Sequence, residues 1–119
     1  MAKTSEVLTW IYNKFLKAIR VTVALKYITY LKPVAKDIGI NSTEIAAAKH
    51  NRNYLAIVND SDTTIYIAIG ATAVVGRGIR LNANGGSFEM TKDNLSYQIV
   101  NGIHGNSGTK QVTVQEAVE

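Results

Sequence analysis

Apolar residues recur along this chain with two different periods, and the change of period divides it. From Ser5 to about Leu31, Ile11, Phe15, Ile19, Val23 and Tyr27 step by four, with Leu8, Tyr12 and Leu16 beside them. That is the spacing of one face of an α-helix. Lys14, Lys17 and Arg20 fall on or near the opposite face, so stripe and charge segregate. Thr4 or Ser5 stands where an N-cap is needed, and Glu6 falls in the first turn, where the helix dipole favours an acid. Pro33 closes the pattern, because the residue before a proline avoids helical geometry. The spacing predicts a helix over 6–20. Beyond it, the β-branched Thr22, Val23, Ile28 and Thr29 leave the segment open to extended structure.

After Lys36 the period falls to two. Strands are predicted at Thr43–Lys49, Asn53–Asn59, Thr63–Gly70, Ile79–Leu81, Phe88–Met90, Leu95–Val100 and Val112–Glu116. Asn53–Asn59 is nearly all apolar, which predicts a central strand covered on both faces. Asp60-Ser61-Asp62 and Asn84-Gly85-Gly86 read as turns, Gly76-Arg77-Gly78 as a loop, and Gly102 to Gly108 as a loop tip. The expectation is a mainly β chain: a small antiparallel β-sandwich of six to seven strands, jelly-roll- or Ig-like, with an N-terminal amphipathic helix. Its parts are a basic arm over 1–36 and a sandwich over 37–119.

Composition narrows the chemistry. The 119 residues are 46% hydrophobic and 18% charged, which excludes a disordered or collagen-like chain. The absence of cysteine excludes disulfides, thiolate metal sites and a cysteine nucleophile. Residues 1–36 hold seven basic side chains against Glu6 alone, a net +6, whereas residues 37–119 hold six against eight acids, a net −2. A sandwich of this size lies near the lower limit for an independent core without disulfides, so association with other copies is expected. No export signal or membrane-length apolar run is recognisable. The Asn-x-Ser/Thr sites at Asn41, Asn59 and Asn94 therefore read as coincidental.

No catalytic template fits. His50 and His104 have no serine in a nucleophile elbow, Asp60 and Asp62 have a turn's spacing, and Gly76-Arg77-Gly78 lacks the rest of a phosphate loop. No enzyme activity, cofactor, metal or small-molecule substrate is expected.

Asn51–Gly70 (NRNYLAIVNDSDTTIYIAIG), Gly78-Ile79-Arg80-Leu81, Gly85–Glu89, the aromatic strand Leu95–Val100 and the closing Val112–Glu116 together resemble a recurrent β-sandwich domain of small bacteriophage and prokaryotic-virus virion proteins. These include head-decoration (cement) proteins and head-fibre anchors. The resemblance spans about 43–116 and leaves out the N-terminal helix. It implies a virion structural protein, assembled in the host cytoplasm, that decorates or stabilises a capsid. The expected partners are a major capsid or other virion protein and further copies of the chain, a trimer being favoured. Trp10, Ile11, Lys14, Phe15, Lys17, Ile19, Arg20 and Val23 would form the anchor, the apolar ones buried and the basic ones facing acidic shell surface, and Arg52 would pin the start of its strand. The alternatives are a receptor- or carbohydrate-binding knob using loops 71–78 and 101–109, and an accessory protein touching membrane or nucleic acid through its basic helix.

Overall fold

The computed structural model describes residues 4–22 and 27–119, with side chains described over 6–15 and 27–119. Helix α1 spans Thr4–Thr22 with Glu6 in its first turn. Among the described residues nine strands follow: β1 (Thr29–Tyr30), β2 (Val34–Ile38), β3 (Thr43–Ala46), β4 (Arg52–Asn59), β5 (Ile65–Ile69), β6 (Ile79–Leu81), β7 (Ser87–Met90), β8 (Val100–His104) and β9 (Lys110–Val118).

The pairing has a simple logic. β5 pairs with β6, β4 with β7, β3 with β8 and β2 with β9, all antiparallel, as in one long hairpin closed between β5 and β6. Curling that hairpin brings β4 beside β9 and β5 beside β8. The outcome is two facing sheets, ordered β2-β9-β4-β7 and β3-β8-β5-β6. Eight strands wound in this order form a jelly roll. The molecule is therefore a small antiparallel β-sandwich with one N-terminal helix, as the two periods predicted.

The core lies between the sheets. Ile38, Ile45, Leu55, Ile57, Ile65, Ile67, Leu81, Met90, Val100 and Val112 are essentially inaccessible, and Ile69, Ile79 and Phe88 pack against them. Burying a side chain of this size stabilises the fold by about 1.5–3 kcal/mol.

Four details differ from the sequence reading. The sheet begins before residue 37: β1 and β2 run end to end along one edge of β9, with Tyr30 opposite Ala117 and Val34 opposite Val114. Pro33, which has no N–H, sits in the break between them, and an edge strand tolerates it there. β4 is not covered on both faces, since Leu55, Ile57 and Asn59 are buried while Tyr54, Ala56 and Val58 are half-exposed. Residues 95–99 form no strand, and Leu95 and Tyr97 are exposed. The strand is β8, so Gly102 to His104, expected in a loop tip, lie in the sandwich interior.

Candidate functional site

The sandwich has two unlike ends. At one, the turns 39–42, 60–64, 82–86 and 105–109 meet, and their chemistry is polar. Asn59, fully buried, ties two of them together. Its Nδ2 donates to the carbonyls of Thr63 (2.8 Å) and Leu81 (3.0 Å), and its Oδ1 accepts from the Ser61 N–H (3.0 Å) and hydroxyl (2.6 Å). The 105–109 turn is organised by His104, also fully buried. Its Nδ1 accepts from the Asn106 N–H (3.1 Å), which leaves Nε2–H to donate to the Gly108 carbonyl (2.8 Å). Both ring nitrogens are thus engaged in shaping a turn. Asp62 binds the Lys110 ammonium at 2.8 Å, and that hydrogen bond, with one from Thr63, holds its carboxyl below the ordinary carboxylate range.

The opposite end is where the arm enters. Arg52 is pinned there inside the sandwich. Its Nε donates to Glu116 at 2.7 Å, and its remaining donors reach the carbonyls of Ser96, Gln98 (2.9 Å each) and Ala47. Lys49 also pairs with Glu116. Burial alone would raise the Glu116 carboxyl; the hydrogen bonds from Lys49 and Arg52 outweigh it and hold the group below its ordinary value. Around this lock the surface is aromatic: Tyr27, Tyr30 and Tyr97 are exposed, Tyr30 meets Tyr54 edge-on at 5.9 Å, and His50 stacks on Tyr97 at 5.0 Å. The Tyr54 hydroxyl donates to Glu89 at 2.6 Å, and this bond raises its pKa. Between edge strands β2 and β3 lies an open cleft of about 240 Å³, floored by Ile45 and Val114 and rimmed by Lys32, Lys36 and Lys49.

The described part of the helix exposes six large apolar side chains, Val7, Leu8, Trp10, Ile11, Tyr12 and Phe15. Every side chain from Glu6 to Phe15 is exposed, with Leu8 at 62%, Trp10 at 59%, Ile11 at 51% and Phe15 at 62%. The Lys14 ammonium lies 4.6 Å from the centre of the Trp10 ring, a cation–π contact. Of the eight predicted anchor residues, Trp10, Ile11, Lys14 and Phe15 are exposed on one helix; the side chains of Lys17, Ile19 and Arg20, and all of Val23, lie outside the described residues.

Of the two predicted knob surfaces, residues 105–109 and all of 71–78 except Ala73 are exposed. Residues 101–104 belong to β8, and loop 71–78 is tied to the sandwich by the Ala73 N–H on Ser42 Oγ (2.9 Å) and by Asn101, which donates to the Ala71 carbonyl (2.7 Å). Among the described residues no three acidic or histidine side chains gather as metal ligands, and no helix is long and apolar enough to cross a membrane. Neither protein-family models nor curated proteins give a match to the chain. Sequence reasoning missed the tyrosine-rich arm end and the buried role of His104. The tyrosines at 27, 30, 54 and 97 are scattered along the sequence, and only the register of β1 and β4 on β9 brings Tyr30 and Tyr54 together.

Proposed function

We propose that this chain is a virion structural protein that decorates or stabilises a capsid as an oligomer, with the sandwich displayed and the helical arm holding it in place. One observation carries the reading. The sandwich satisfies itself, with a continuous core and no buried side-chain polar atom lacking a hydrogen bond among the described residues. The helix does not, since its described large apolar side chains, from Val7 to Phe15, are 44–62% exposed. A sufficient body joined to an insufficient arm suits a part that is finished by assembly. The jelly roll is an architecture that viral capsid and lectin domains share. The arm's net positive charge favours docking on acidic protein surface, with an attraction that salt weakens. The aromatic end faces the arm and the polar turns face away, so the turns would point to solvent.

The test is the composition of purified particles. They should contain the chain in a fixed, symmetric copy number, and raising salt should release it. Particles that lack the chain while the same lysate holds it free would overturn the proposal.

A further inference from the structure

On one side of the sandwich the sheet edges are β2 and β3, and each pairs with a single neighbour, β9 and β8. Antiparallel residues directly opposite share a face. Val34 and Lys36, opposite the buried Val114 and Val112, therefore point between the sheets. Neither is covered there. Val34 is 42% exposed, and Lys36 stands half-buried in the cleft of about 240 Å³ between the two edges. Among the described residues no hydrogen bond or ion pair reaches the ammonium of Lys36, or that of Lys32 on the same rim. Lys49, the third lysine, is held by Glu116, whose carboxylate also serves Arg52. Glu44, the other acid lining the cleft, is exposed. Four cations thus meet two acids, a local net charge of +2.

We infer that this cleft takes an extended, acidic segment of a partner protein, added as a strand to the free edge of β2. Every second side chain of such a strand would lie over the floor of Ile45 and Val114, closing the space beside Val34 and setting a carboxylate against Lys36. Backbone hydrogen bonds would hold the strand, and the lysines would choose it. The same charges exclude other occupants. An antiparallel β2 from a second copy, centred on Val34, would set Lys36 against Lys32 at both ends, and like charges directly opposite destabilise a strand pair. A neutral apolar strand would bury the Lys36 ammonium without an anion, which is costly. Pro33 has no N–H to donate, so pairing is confined to β2 and the added strand is short. The expectation of an acidic protein partner rests on the proposed function, which this site deepens by giving that partner a place on the sandwich. Its test needs no particle, so the two can fail separately.

The full-length protein is titrated with the synthetic peptide Thr-Glu-Thr-Val-Thr-Glu-Thr and followed by NMR. One face of that peptide reads Glu-Val-Glu in either chain direction, matching Lys32, Val34 and Lys36. The amide signals of Val34–Ile38 and the methyl signals of Ile45 and Val114 should move together. Lys36→Glu, with the β signal of the sandwich intact, should bind about tenfold more weakly, because an opposite-charge cross-strand pair becomes a like-charge one. Lys36→Arg should keep the affinity, and the peptide Thr-Lys-Thr-Val-Thr-Lys-Thr should not bind. An acidic peptide that moves no β2 signal, or moves those of α1 instead, overturns the inference. So does a lysine peptide that binds equally well, or a Lys36→Glu variant of unchanged affinity. β2 signals that shift with protein concentration alone would overturn it too, since a second copy would then occupy the edge.

Discussion

Arg52 and Glu116 show how a single residue position is fixed by several constraints at once. Strict alternation from Leu55, Ile57 and Asn59 would turn Arg52 outward. The register shift between Arg52 and Tyr54 inserts one residue and turns it inward. There the guanidinium serves a carboxylate and three carbonyls. Arg52→Ala would leave Glu116 half-paired and those carbonyls without donors, a loss of about 3–5 kcal/mol expected in guanidinium unfolding. Arg52→Lys should recover little, because one ammonium cannot span the four acceptors. Glu116 adds a pH dependence. Its folded pKa lies below the ordinary carboxylate value, so its contribution is complete above about 4.3 and is lost as pH falls further through the folded value. The stability gap between wild type and Glu116→Gln should therefore narrow on acidification; a gap that is constant from neutrality to pH 3 would contradict this account. The pinning role of Arg52 was legible through the resemblance alone, in which an arginine opens an apolar strand. That of His104 was not, because a run rich in glycine and asparagine signals a loop, and only the Asn106 and Gly108 contacts turn it into an interior hinge for the turn.

At the scale of elements, sequence periodicity located strands wherever apolar residues alternated and turned inward. β5 and β9 are legible for that reason: Ile65 and Ile67, and Val112 and Val114, are buried while their neighbours are not. It failed where alternation and burial part. Leu95, Tyr97 and Ile99 alternate but follow a turn held by Asn94, whose Oδ1 accepts from the Thr91 N–H at 2.7 Å. Gly102, a turn signal in isolation, lies inside β8, where a Cβ would come 2.6 Å from Ile45 Cδ1 and push that buried side chain aside. Loop glycines divide in the same manner. Gly76 and Gly78 both have positive φ, +83° and +86°, but a Cβ on Gly76 meets open space while one on Gly78 would come within 2.3 Å of the Ile67 carbonyl oxygen. Gly76→Ala should cost about 1–2 kcal/mol, the left-handed backbone penalty alone. Gly78→Ala adds a clash with backbone that cannot step aside, so its melting temperature should fall distinctly further. Equal losses would mean that the loop, and not Ile67, sets the requirement.

For the molecule as a whole, the charge asymmetry between the two halves was plain in the sequence, but the place where arm becomes body was not. Pro33 stops a helix and also suits the break in an edge strand, and the basic residues Lys32 and Lys36 continue the arm's charge into the sheet. The structure puts β1 and β2 on β9: the Leu31 N–H donates to the Glu116 carbonyl at 2.8 Å, and Ile38 is wholly buried. Two truncations separate the possibilities. A fragment of residues 27–119 keeps all nine strands and every core residue, so it should melt cooperatively within a few degrees of the full chain. A fragment of residues 37–119 loses β1 and most of β2. It leaves one edge of β9 unpaired and strips cover from Val112 and Val114. Each backbone hydrogen bond lost costs about 1 kcal/mol net, and several go together, so this fragment should melt far lower or not fold. If the two fragments proved equally stable, the edge pairing along β9 would contribute nothing. If both failed to fold, the sandwich would depend on α1 for its own stability, and an arm reserved for other molecules would no longer describe it.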